Sequence, residues 1–74
     1  MQMTPVNSSM IQEIGYDPET KTLRVRFKRK NILWQYEDVP STVYDQLTTS
    51  DSIGKCFHAD IRNIYNARRL YETE

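Results

Sequence analysis

The sequence predicts a small α+β domain, a three-stranded antiparallel β-meander followed by two helices packed on one of its faces. Three observations predict it. Leu23, Val25 and Phe27 alternate with Arg24, Arg26 and Lys28, a period of two that suits a half-buried strand. After a short basic turn, Ile32, Trp34 and Tyr36 alternate in the same way, so the two runs make a hairpin. Beyond Pro40 the period changes, and Ile53, Phe57, Ile61, Ile64 and Tyr65 form the apolar stripe of a helix.

Taken in order, residues 1–7 are polar and contain Pro5, and are expected to be a flexible arm ahead of a single domain over residues 8–70. The first strand is placed at about residues 8–16. A helical period fits Met10, Ile11 and Ile14 equally well. The strand is favoured because the segment is short and stops at the turn cluster Gly15-Tyr16-Asp17-Pro18-Glu19, where Pro18 disfavours helical geometry at Asp17. A bulge near Gln12 would turn both Ile11 and Ile14 into one core. The second and third strands are placed at about 22–28 and 32–38, with Asn31 suited to a left-handed position in their turn. Pro40 cannot donate to a ladder and ends the third.

Ser41 is then a candidate N-cap for a first helix over about 41–49, with Asp45 in its first turn and Val43, Tyr44 and Leu47 on one face. Asp51 or Ser52 caps a second helix over about 52–69, leaving residues 71–74 as a tail. Gly54 in the first turn of that helix costs about 1 kcal/mol relative to alanine. Its presence implies a close backbone approach or a slightly later helix start.

The chain has 74 residues, near the lower limit at which one core stabilises a fold without staples. Apolar residues are 38% and charged residues 27%, a balance that argues against wholesale disorder. Ten basic and ten acidic residues cancel, so any attraction to nucleic acid requires their segregation. Cys56 is the single cysteine, which excludes an internal disulfide. The N-terminus lacks a signal-peptide pattern, and the longest apolar run is the three residues Ile32-Leu33-Trp34. The expectation is a cytoplasmic protein.

Two cationic groups are candidates for nucleic-acid binding. Arg24, Arg26 and Lys28 share one strand face, and Arg29 and Lys30 extend it at the turn. Such a ribbon can contact successive phosphates, although alternation assigns Trp34 and Tyr36 to the core and leaves it without a stacking platform. The second group, Lys55, His58, Arg62, Asn66 and Arg69, falls on one face of the second helix. Both patterns also suit an ordinary solvated surface, with Glu13, Glu37 or Asp38 pairing across the sheet.

Catalysis finds little support. Cys56 and His58, two residues apart on a helix, point about 200° from each other. One cysteine and one histidine also fall short of a metal site. With two glycines in the chain there is no phosphate-binding loop and no Ser-His-Asp signature. The residues point to a non-enzymatic module without a cofactor or metal.

One resemblance spans about residues 6–70. Val6-Asn7-Ser8-Ser9-Met10-Ile11, Ile14-Gly15-Tyr16-Asp17, Leu23-Arg24-Val25-Arg26-Phe27 and Trp34-Gln35-Tyr36-Glu37-Asp38-Val39-Pro40 resemble, in order and spacing, the KTSC domain. So do Val43-Tyr44, Ser52-Ile53-Gly54, Ile61-Arg62 and Arg69-Leu70. That family is named after a segment at the C-terminus of some lysyl-tRNA synthetases and also occurs as small bacterial and phage proteins. The family's central Tyr-x-Tyr stands here as Trp34-Gln35-Tyr36, its usual second-turn glycine is replaced within Arg29-Lys30-Asn31, and its Tyr-Phe-Asn is Cys56-Phe57-His58. The resemblance implies this fold, no assigned activity, and a suggested affinity for RNA. The combined expectation is a small binding module contacting RNA through Arg24, Arg26, Lys28, Arg29, Lys30, Lys55, Arg62 and Arg69. The alternative is a protein-interaction module, a bacterial or phage adaptor or inhibitor docking by the hairpin edge or by aromatics such as Tyr71.

Overall fold

The computed structural model describes residues 2–71. Among them it places an antiparallel sheet of five strands and two helices on one of its faces. The strands are β1 (Thr4–Pro5), β2 (Ile11–Asp17), β3 (Thr22–Phe27), β4 (Leu33–Tyr36) and β5 (Ala67–Leu70), lying side by side in chain order. The helices, α1 (Ser41–Thr49) and α2 (Ile53–Asp60), form between β4 and β5.

The α+β class and the three central strands follow the period-two runs. The three-stranded meander is corrected to five strands, because segments at both ends of the chain add to its edges. Thr4 and Pro5, expected in a flexible arm, pair with Ile14 and Glu13. Pro5 fits there because an edge strand has one side with no ladder bond to donate. Of the tail at 71–74, only Tyr71 lies within the described residues.

The bulge on β2 is where the apolar pattern requires it. Register shifts between Ile11 and Glu13, and both Ile11 and Ile14 become fully buried. On β3 and β4, Leu23 faces Tyr36 and Val25 faces Trp34, all on the helix-covered side. Arg24 and Arg26 take the outer side, opposite Gln35 and Leu33. Asn31 is left-handed at φ 56°, as its turn chemistry suggested, and Lys30 beside it has φ 59°.

Helix α1 has the expected bounds, but Pro40 occupies the cap position and Ser41 is the first helical residue. Helix α2 is the larger correction: it stops at Asp60, and does not run to residue 69. Ile53, Phe57 and Ile61 complete its buried stripe, whereas Ile64 is 60% exposed. Beyond Ile61, Tyr65 still packs against the core although the helix has ended. Asn63 adopts φ 68°, a left-handed conformation that asparagine tolerates, and the chain turns back. Ala67–Leu70 then pairs along β4, with Trp34 opposite Arg69 and Tyr36 opposite Ala67. Gly54 needs no close backbone approach, since the nearest atoms to a Cβ there are the Met10 methyl at 3.6 Å and the Ser8 hydroxyl at 3.9 Å. No helix among the described residues is long and apolar enough to cross a membrane.

Candidate nucleic-acid interface

The early end of α2 leaves part of the helix-side sheet surface open. A groove of about 880 Å³ lies there, over β4 and between the β3–β4 turn and the end of α2. That size falls within the range of small-molecule and cofactor pockets. Phe27, Trp34, Tyr36 and Phe57 line it, and Arg29, Lys30, His58 and Arg62 stand around them.

The aromatic floor is closely packed. Phe57 is 1% exposed and meets both Phe27 and Tyr36 edge to face, each at 5.4 Å between centroids. These T-shaped contacts hold the rings in a favoured quadrupole arrangement. Trp34 differs. It is half-buried, packs against the core, and among the described residues makes no ring–ring contact. Its indole lines the open groove, so part of the ring is accessible.

The cations come from two elements. Arg29 and Lys30 form a single 3-10 turn at the hairpin tip, and both are exposed. Arg62 follows α2, and its Nη1 lies 3.1 Å from His58 Nδ1. A guanidinium can only donate, so in this contact Nδ1 is the acceptor. Burial pushes the Tyr36 phenol above its ordinary pKa, and the Arg62 charge pulls it partly back. Arg62 therefore acts electrostatically on the groove floor as well as on its rim.

The predicted site residues separate into three places. Arg29, Lys30 and Arg62 meet at the groove. Arg69, expected on a helix, lies on β5 opposite Trp34, so it reaches the groove side of the sheet by strand pairing. Lys55 is exposed on α2 and does not line the groove, so the single helical line from Lys55 to Arg69 does not form. Arg24 and Arg26 sit on the opposite sheet face. There Arg26 Nε is 2.9 Å from Glu13 Oε2, and Arg24 Nε donates to Gln35 Oε1 at 3.0 Å. Their charges are tied to neighbours, and Lys28 lies just past β3 with its amide donating to the Met10 carbonyl. The eight cations expected to act together are thus split between the groove side, the outer sheet face and the exposed side of α2.

The period-two reading of Trp34 named its sheet face correctly, but not its exposure. Whether that face is covered depends on the length of α2, to which Asn63 was the available signal. Cys56 and His58 take separate partners: Cys56 Sγ donates to Asp60 Oδ2 at 3.4 Å, while His58 contacts Arg62. Burial, then the Asp60 contact, pushes the Cys56 thiol up. Among the described residues no three of His, Cys, Asp and Glu gather in a metal-binding group.

Similarity to known proteins agrees with this architecture. The chain is 38% identical over 58 residues to an uncharacterised protein of Stutzerimonas stutzeri, covering 78% of this chain and 80% of that one. It is 34% identical over 68 residues to a protein of Tsukamurella paurometabola, covering 92% of this chain and all of that one. A crystal structure of a KTSC domain protein from Yersinia pestis superposes with a TM-score of 0.91 at 31% identity, covering 95% and 97% of the two chains. The KTSC domain model itself matches residues 7–65, from the loop before β2 through α2 to the groove wall at Tyr65, and the protein therefore belongs to the KTSC domain family.

Proposed function

We propose that this KTSC domain is a non-enzymatic binding module that holds single-stranded RNA in the helix-side groove, and not along the outer face of its hairpin. The observation that carries the reading is the accessible Trp34 indole in a groove flanked by Arg29, Lys30 and Arg62. Single-strand readers combine these two features: an aromatic surface for an unpaired base and cations for the adjoining phosphates. A stacked base contributes about 1–3 kcal/mol and does not depend strongly on its identity. The outer face offers Arg24 and Arg26 already engaged with Gln35 and Glu13, and no ring beside them in the neighbouring strands' register.

Trp34 is the only tryptophan, so its fluorescence reports on the groove directly. Titration with single-stranded RNA at two salt concentrations is expected to quench it, with affinity falling as salt rises. Trp34→Ala should weaken binding about tenfold or more, judged by a labelled RNA. Arg29→Glu with Lys30→Glu should abolish it at moderate salt, whereas Arg24→Glu should change it little. No binding at low salt would sink the RNA reading and leave a protein partner as the alternative.

A further inference from the structure

We infer that Tyr71 is a second base-stacking position, placed one step from Trp34 across the open edge of the sheet, so that the domain binds a strand of RNA and not a single nucleotide. The inference rests on the groove reading above and extends it to residues outside the groove lining. Three observations place it. Trp34 on β4 is directly opposite Arg69 on β5, the last strand of the sheet order. Tyr71 follows two residues later, just past the end of β5. The Arg69 guanidinium sits 4.7 Å from the centroid of the Tyr71 ring.

Tyr71 is also 77% exposed, a large aromatic that the core does not use. A guanidinium over one face of a ring holds that ring by cation–π attraction and leaves the other face open. Arg69 therefore does two things. It steadies the Tyr71 ring, and its strand position opposite Trp34 brings a positive charge to the side of the sheet that a phosphate linking two stacked bases would approach. Arg69 was expected to belong to a helical cationic line. Strand pairing gives it instead a place opposite Trp34, with its guanidinium over the Tyr71 ring.

The ligand chemistry, a base attached to a phosphate, is shared by free mononucleotides and by RNA. Length is what separates them. Dissociation constants are measured by Trp34 fluorescence for adenosine 5′-monophosphate and for oligoadenylates of two, four and six residues. The wild-type protein is expected to bind the dinucleotide and longer strands about tenfold more tightly than the monophosphate. Tyr71→Ala should remove that gain and leave monophosphate binding unchanged, while Tyr71→Phe should preserve it. Arg69→Ala should reduce the gain and flatten the salt dependence of the longer strands. Equal affinity for monophosphate and oligomers would overturn the inference but leave the groove as a nucleotide site. So would a Tyr71→Ala protein that keeps the length dependence. Failure of every ligand to quench Trp34, confirmed by a labelled hexamer, would overturn the groove reading itself and this inference with it.

Discussion

Tyr16 and Tyr36 each hold the phenol proton more tightly than an exposed tyrosine does. For Tyr16 the causes are burial, then the nearby charges of Asp17 and Asp45, and its hydroxyl donates to the Val39 carbonyl. For Tyr36 burial dominates and Arg62 opposes it. Because both folded-state values lie above the unfolded value of 10.0, the folded state retains protons that the unfolded chain releases. Their contribution to stability is complete below about pH 10 and is lost as pH rises through the folded-state values. Urea denaturation is therefore expected to show a falling midpoint above pH 10. Tyr16→Phe should cost about 1 kcal/mol at neutral pH, because the Val39 carbonyl loses its donor. The same variant should lose less stability than wild type on going from pH 9 to 11, since one titrating phenol is gone. Tyr16 also stacks on Tyr44 at 4.7 Å, a contact that phenylalanine preserves and that confines the change to the hydroxyl.

At the level of the elements, local chemistry explains most placements. β2 keeps two isoleucines in one core because a single extra residue at Gln12 resets the register. Ser52 caps α2 by accepting from the Lys55 amide, one of the two residues its sequence context nominated. Gly54 is a different matter. Its first-turn position carries the helix penalty of glycine, and the neighbours of an added Cβ are at ordinary van der Waals distance. Gly54→Ala is expected to stabilise the protein by up to about 1 kcal/mol, read as a rise in the urea midpoint at unchanged slope. A loss of stability would show that Met10 and Ser8 cannot accept the methyl group. β5 is the element that period alone misplaced. Ala67-Arg68-Arg69-Leu70 has little β propensity and continues a helical spacing of basic residues. It becomes a strand because Asn63 reverses the chain beside an unpaired edge of β4.

In the whole molecule, measuring 33 × 28 × 23 Å, two helices cover one side of the sheet incompletely. The chain has no net charge, so long-range attraction cannot carry binding, and the cations around Trp34 must act locally. Arg29, Lys30 and Arg62 line the groove, and Arg69 lies opposite Trp34. At about −0.7 per phosphate contact for a single strand, log affinity against log salt should have a slope near −3. A much steeper slope would mean that Arg24, Arg26 and Lys28 on and beside the outer face also contact RNA. Period and turn chemistry were sufficient for β2, β3, β4, α1 and the bulge, because each depends on residues within a few positions of one another. They were also sufficient for the sheet face on which Trp34 and Tyr36 lie. The exposure of Trp34, the pairing of Arg69 opposite it, and the separation of the eight cations were decided only by tertiary structure. Each of these depends on where α2 ends and on which edge β5 closes, and that closure pairs residues more than thirty positions apart, beyond the reach of a local period.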